Sequence, residues 1–366
     1  MSAIHLYEKI GSDIRTLISS GSIKPEEKVP SVSEIRKKYS VSHITALRVL
    51  KELSDSGYVE FVKGKGYFAK TSGSKENTPA LKGVVACILR PCRKSNFYDN
   101  YFNDINQAIQ QECMRQRINI YYPYCNIELF KQIPDAKTLS SIKETCLEAV
   151  DTVDGYLLDE RIPDQLIKEL TQKIKKPFVV VGRKSSENVD SVAPDNVNGA
   201  KKAAELCVKM GYRLFIAGKE QTPKFNSHER TEAFLSGLKD SGIKSEMIET
   251  FDFNMLPHED TLADIRKKMR QGIRTLLFSP HDSFARVITD VLTDEGVKLG
   301  QEVGVMGFDG LGFSRMKKPF ISTIDVKPEL LGINAARILS ERINRTNFGR
   351  TECYTVESSV QMGDTI

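Results

Sequence analysis

The stretch Lys63-Gly64-Lys65-Gly66-Tyr67-Phe68 alternates two ammonium groups with two glycines and then places two aromatics. Lysine beside glycine is a phosphate-holding pattern, because glycine permits a tight turn and a close backbone approach while lysine supplies charge. The phosphate could belong to a nucleotide in an enzyme pocket or to a nucleic-acid backbone. The spacing rejects the first. A P-loop needs a hydroxyl directly after its lysine, and here Gly66 follows Lys65. The chain has no Gly-x-Ser-x-Gly elbow and no His-Glu-x-x-His pair. Its five histidines, His5, His43, His228, His258 and His281, are scattered without metal-ligand spacing. The residues thus argue against an enzyme, and no metal or cofactor is expected.

A second set of candidates lies just upstream, in Val-Ser-His-Ile-Thr-Ala-Leu-Arg-Val-Leu-Lys-Glu-Leu, residues 41–53. Ser42 is the expected N-cap of a helix. At 100° per residue, Ala46, Val49, Leu50 and Leu53 share one face. Ile44, Thr45, Arg48 and Lys51 share the opposite one, with His43 and Leu47 at the flanks. The second face offers a guanidinium for phosphate or guanine, a hydroxyl for phosphate or a base edge, and an isoleucine for a thymine methyl.

The elements that must position these groups can be read around them. Leu6, Ile10, Ile14 and Leu17 line one face of a first helix that Gly21 ends. Ser31 and Glu34 fit a capping box at the start of a second, in which Val32, Ile35 and Tyr39 share a face. After Gly57 an alternating run, a glycine turn and a second short run predict a β-hairpin, with Phe68 facing inward. Three helices and a hairpin make a winged helix-turn-helix. The first 70 residues carry 12 Lys/Arg against 8 Asp/Glu, whereas the other 296 carry 41 against 40. The excess of positive charge is therefore concentrated in this segment and suggests a polyanion partner.

Residues 70–82 are polar and hold little to bury, so they read as a flexible linker. Beyond them short apolar runs (residues 83–89, 118–122, 154–158, 177–182, 213–218, 275–279 and 303–308) alternate with amphipathic helical stretches. Such alternation implies parallel sheets covered by helices, and the length favours two lobes. The seven cysteines, 87, 92, 113, 125, 146, 207 and 353, include no Cys-x-x-Cys pair and several lie in apolar runs. Small buried thiols in a reducing compartment are expected. Residues 1–11 lack the basic region followed by an apolar stretch of a secretory signal, and no apolar run reaches the ~18–20 residues of a membrane span, so a cytoplasmic location is expected.

The order of Pro30, Ser31, Val41, Ser42, Thr45, Leu50, Leu53, Gly57, Gly64, Gly66 and Phe68 resembles the GntR-type DNA-binding domain over about 65 residues. That resemblance implies double-stranded operator DNA as a partner. It implies contacts from Ser31, Ser42, His43, Ile44, Thr45, Arg48, Lys63, Gly64, Lys65 and Gly66. The chain departs from the family at Ser33, His43 and Leu47, where arginine is frequent, so the operator does not carry over.

Residues 83–366 resemble the LacI/GalR effector domain, whose fold is that of the periplasmic sugar-binding proteins. The resemblance rests on the ordered series VDGYLLDE, KKPFVVVGR, VAPDNVNGAKKAAELCVKMGY, SHERTEAF, SPHDSF and VGVMGFDG. It implies two α/β lobes with parallel sheets, homodimerisation, and a sugar-sized effector in the cleft. Effector contacts are implied for Tyr98, Arg183, Arg230, His281, Asp282 and Asp309, with Phe97 or Phe284 as further aromatic candidates. The usual LacI head and hinge helix are missing. A GntR-type head on a LacI-type body is similar to the arabinose-repressor class of bacterial regulators. The expected organisation is a winged helix at 1–69, a linker at 70–82 and an effector-binding and dimerisation domain at 83–366. The expected function is repression relieved by a mono- or oligosaccharide, arabinose-like among them. The competing readings are a sugar-binding protein without regulatory role and a sugar-acting enzyme.

Overall fold

The computed structural model describes residues 10–11, 13–15, 17–18, 22–24, 26–55, 58–70, 82–89, 100–123, 135–219, 225–252, 259–344 and 350–366. The chain divides into two compact units, Met1–Ala80 and Leu81–Ile366.

In the first unit, helical residues 10–11, 13–15 and 17–18 (α1) bring Ile10, Ile14 and Ile18 into a core. A spacing of four carries the buried stripe from Ile14 to Ile18, leaving the expected Leu17 half-buried. Helix α2 (Val32–Tyr39) begins at the predicted capping box: Ser31 Oγ accepts from Glu34 N–H, and Ser31 N–H donates to the Glu34 carboxylate at 2.7 Å. Ile35 is fully buried, and the Tyr39 hydroxyl donates to Asp13. Helix α3 (His43–Asp55) buries Ala46, Val49, Leu50 and Leu53, the face its periodicity predicts.

Strands β1 (Val59–Val62) and β2 (Gly66–Ala69) form the antiparallel hairpin. A third extended segment, absent from the sequence reading, lies against it through an isolated bridge at Lys28. Residues 26–29 pair with β2 through Glu26 N–H to Ala69 O, Ala69 N–H to Glu27 O and Val29 N–H to Tyr67 O. Val59, Ala69 and Val29 are buried, so the two-residue period turns Phe68 to the outer face beside Lys28 and Glu60. The expectation of an inward Phe68 is thus corrected: Tyr67 packs against the core instead, its ring 5.0 Å from that of Phe61.

The second unit holds two six-stranded sheets. One runs in the order β13-β7-β6-β5-β3-β4 and is wholly parallel. Its strands are β3 (Gly83–Ile88), β4 (Ile118–Tyr121), β5 (Gly155–Asp159), β6 (Phe178–Val181), β7 (Asp190–Pro194) and β13 (Cys353–Val356). The other runs β14-β12-β11-β10-β8-β9, parallel except for β14. It comprises β8 (Leu214–Lys219), β9 (Ile248–Asp252), β10 (Thr275–Phe278), β11 (Val303–Asp309), β12 (Ser322–Asp325) and β14 (Ser359–Gln361). Strands such as Phe-Val-Val-Val and Thr-Leu-Leu-Phe are buried at every residue, because helices cover both faces of a parallel sheet.

The chain passes between the sheets three times. It crosses after β7 into α7 (Asn196–Lys209), after β12 into α11 (Pro328–Ile343), and between β13 and β14. The crossings are tied together. Asp195 caps α7 and donates its N–H to Val356 O, and the Lys327 ammonium donates to Glu357 O. Helix α11 packs against α4 (Asn100–Gln116), where Gly332 lets the helices meet: a Cβ there would lie 2.4 Å from Ile105 O. Cys87, Cys113, Cys146 and Cys207 are buried and Cys353 is half-buried, all as free thiols. Burial pushes the Cys113 and Cys207 thiols up to about 12, which leaves them unreactive. Cys92 and Cys125 lie outside the described residues. No helix among the described residues is long and apolar enough to cross a membrane.

Candidate functional site

Doubly wound sheets bind ligands beyond the carboxyl ends of their strands, where the strand order reverses. In the second sheet that reversal falls between β8 and β10. The residues that follow β10, the end of β11, and α8 (Phe225–Asp240), which follows β8, all deliver polar groups there.

Arg230 on α8 is the centre. Only 1% exposed, its Nη1 donates to Asp309 Oδ1 at 2.7 Å and to Pro280 O at 2.9 Å. Its Nε donates to Asn196 Oδ1 at 3.0 Å, and its guanidinium lies 4.2 Å over the Phe308 ring. Among the described residues Nη2 has no hydrogen bond. His281 Nδ1 lies 3.2 Å from Asp309 Oδ2 and 3.4 Å from Arg230 Nη1, while Nε2 is 2.9 Å from Ser227 Oγ. A proton on Nδ1 serves the carboxylate and leaves Nε2 to accept from the serine. Burial alone would raise the Asp309 carboxyl, but the Arg230 charge and the His281 hydrogen bond outweigh it and hold the group below its usual range. Asp309 sits at φ 123°, a conformation that costs a non-glycine residue ~1–3 kcal/mol and clusters at functional sites.

Sequence reasoning missed Asn196, Asn226, Ser227 and Glu160. Asn196 Nδ2 donates to Asn226 Oδ1 and to the Glu229 carboxylate, while Asn226 Nδ2 donates to Glu160 Oε2 at 2.8 Å and Gly182 O at 3.0 Å. Glu160 and Gly182 belong to the first lobe, so this amide bridges the two. Amides and serines are common on surfaces, and only the position of Asn196 at the first turn of α7 after a crossing strand distinguished it.

Two of the expected effector contacts are buried and engaged by groups of the chain itself. Asp282, at the start of α10 (Asp282–Asp294), is wholly buried. It accepts from Leu311 N–H at 2.9 Å, from the Thr323 hydroxyl at 2.5 Å and from the Ser314 hydroxyl. These bonds position the loop that leaves Asp309. Gly307 makes this approach feasible, since a Cβ there would lie 2.2 Å from Asp282 Oδ1. Burial, then the nearby Asp309 charge, raises the Asp282 carboxyl to about 8. Arg183 is likewise buried. It donates to Glu160 O, Ile162 O, Lys184 O and the Asp164 carboxylate, fastening the loop after β6 to the start of α6 (Asp164–Lys173). Phe284 packs in the core against Phe251, their ring centroids 5.4 Å apart. Tyr98 and Phe97 lie outside the described residues. No group of three or more His, Cys, Asp or Glu among the described residues could hold a metal ion.

In the first unit, Ser42 Oγ accepts from Thr45 N–H and hydrogen-bonds the Thr45 hydroxyl at 2.9 Å, which caps α3 and leaves one of the two hydroxyl protons to point outward. His43 and Arg48 are exposed on the same helix; the Ile44 side chain lies outside what is described. Lys63, Gly64 and Lys65 form the exposed hairpin turn, closed by Lys65 N–H to Val62 O, with Gly64 and Gly66 both at positive φ. The Ser31 hydroxyl accepts within its cap and keeps its own proton to donate.

Residues 6–68 match the bacterial regulatory proteins of the gntR family, and residues 85–359 match the periplasmic binding proteins and sugar binding domain of the LacI family. The chain is 22% identical to the HTH-type transcriptional repressor MelR of Bacillus subtilis, with 85% of each chain covered. It is 19% identical to the arabinose metabolism transcriptional repressor of Geobacillus stearothermophilus, with 93% of this chain and 91% of that one covered. Among solved structures it resembles a LacI family regulator of Enterococcus faecium with bound ribose (TM-score 0.63, 18% identity, 77% of this chain and 98% of that one). It also resembles the transcriptional regulator CelR in complex with cellobiose (TM-score 0.62, 18% identity, 92% and 95% covered).

Proposed function

Because the chain belongs to the family of periplasmic binding proteins and LacI-type sugar-binding domains and carries a gntR-type head, we propose that it is a sugar-responsive transcriptional repressor. The winged helix grips operator DNA, and a mono- or oligosaccharide held against the Arg230, Asp309 and His281 cluster releases it. One observation carries this reading. A module with an exposed Arg48, Lys63 and Lys65 shares a chain with a doubly wound unit whose strand ends hold a buried, hydrogen-bonding polar cluster. Carboxylate, guanidinium, amide and hydroxyl groups suit a polyhydroxylated ligand, because charge-assisted hydrogen bonds compensate for the desolvation of its hydroxyls. The repressor names of MelR and the arabinose regulator, and the ribose and cellobiose bound in the structural relatives, support the same reading.

The reading includes a cytoplasmic homodimer that presents two heads to a two-fold symmetric operator. It organises the chain as a winged helix at 1–69, a linker at 70–82 and an effector domain at 83–366. Catalysis is no part of it. A thermal-shift screen of pentoses, hexoses and disaccharides, followed by DNA-binding titrations with the hit, tests the proposal. A stabilising sugar that also lowers DNA affinity is expected. Stabilisation by no sugar, or turnover of the stabilising one, would refute it.

A further inference from the structure

We infer that Lys28 is a third phosphate-contacting lysine of the wing, acting with Lys63 and Lys65 on the DNA backbone. The inference rests on the proposed DNA-binding role of the head and extends it to a residue outside the hairpin.

Three observations lead there. Residues 26–29 are hydrogen-bonded to β2 as its outer neighbour, with Lys28 paired to Phe68. The alternation that buries Val29 turns Lys28 outward, where it is exposed. Lys28 then leans over Gly66: a Cβ built on that glycine would lie 3.1 Å from Lys28 Cε and 3.7 Å from its Nζ. The glycine therefore leaves the space through which the lysine stem runs, and the ammonium ends beside Gly66, the residue that follows the Lys63–Lys65 turn. Gly66 thus serves two purposes, its φ of 109° and the passage of Lys28.

Charge supplies the occupant. None of Lys28, Lys63 and Lys65 forms an ion pair among the described residues. Glu34 feels the Lys28 charge, but its carboxylate is committed to Ser31 N–H at 2.7 Å in the α2 cap. Ammonium groups gathered at one hairpin repel each other, and a phosphate chain removes that repulsion while releasing counterions. A sulfate or free phosphate offers the same chemistry without the extended backbone, so the experiment separates the two.

The full-length protein is titrated against a fluorescein-labelled mixed-sequence duplex ~30 base pairs long, from ~50 to ~200 mM salt. Lys28→Met keeps the aliphatic stem and removes the charge, and Lys28→Arg restores the charge. Each phosphate contact contributes about 0.9 to the slope of log K against log salt, so Lys28→Met should flatten the slope by about 0.9 and Lys28→Arg should not. The duplex should compete fully in ~10 mM inorganic phosphate, as expected when contacts are spread along a backbone. A salt-sensitive wild type with an identical slope in Lys28→Met would overturn the assignment of Lys28 alone, as would loss of the difference between them in phosphate. A wild type whose duplex affinity is flat with salt would instead refute the role of the whole head.

Discussion

Asp309→Asn changes one heavy atom and removes the carboxylate that, among the described residues, pairs with Arg230. Both side chains are almost fully buried, at 1% and 8% exposure, so little water can reach the guanidinium left behind to compensate for the lost carboxylate. Removing one partner of a buried, hydrogen-bonded ion pair costs ~3–5 kcal/mol, most of it the orphaned charge. A protein of this size loses about 2–3 °C of Tm per kcal/mol, so a fall of roughly 6–15 °C is expected. The companion variant Arg230→Met should cost a similar amount, because it strands Asp309 and frees Asn196 and Pro280 O from their donor. The double variant strands no charge. It should be less destabilised than the two singles summed, by ~1–3 kcal/mol of coupling. Circular-dichroism melts of the four proteins form the cycle, and a thermal-shift assay with the stabilising sugar reports binding on the same samples. Additive melts, or an Asp309→Asn loss below about 1 kcal/mol, would show that the pair is not desolvated as argued. A sugar-induced shift retained by Asp309→Asn would place the ligand elsewhere.

Further outcomes follow from other residues. Asp282 holds its proton up to about pH 8 in the folded chain but ionises near 4 when unfolded, so it makes stability fall as pH rises between those values. Asp282→Asn mimics the protonated acid and should remove that fall, with melts at pH 6 and pH 8 of wild type and variant as the check; parallel curves would refute the assignment. Arg48→Ala should weaken operator binding by ~1–3 kcal/mol at fixed salt and leave the sugar-induced thermal shift intact, and unchanged DNA affinity would remove α3 from the interface. Gly332→Ala gains ~1 kcal/mol of helix propensity, yet the new methyl meets the Ile105 carbonyl, a backbone atom that cannot rotate away. The clash should win and lower Tm, whereas a rise in Tm would mean that α4 and α11 are packed less closely.

The head was legible because its signals are local. The capping box at Ser31 and Glu34 and the buried stripe of α3 each need only neighbouring residues, and the structure repeats them. The extended segment at 26–29 was not legible, since nothing in its four residues shows pairing with a partner some forty positions away. That pairing set the face of Phe68 and the position of Lys28. In the larger unit, β and α segments revealed the class of fold, because parallel strands buried on both faces are continuous apolar runs.

The composition of the site is the limit of what sequence determined. It supplied Arg230, His281 and Asp309 as candidates and offered Asp282 and Arg183 on the same footing. Tertiary structure separated them. Arg230, His281 and Asp309 come from α8, the N-cap of α10 after β10 and the end of β11, which meet only when the strand order reverses. Asp282 has its carboxylate turned into the loop beyond Asp309, and Arg183 has its guanidinium turned into its own lobe. Residue type fixes what a group can bond to. Which atoms lie within ~3 Å of it depends on chain crossings tens of residues long, and local pattern carries no record of those.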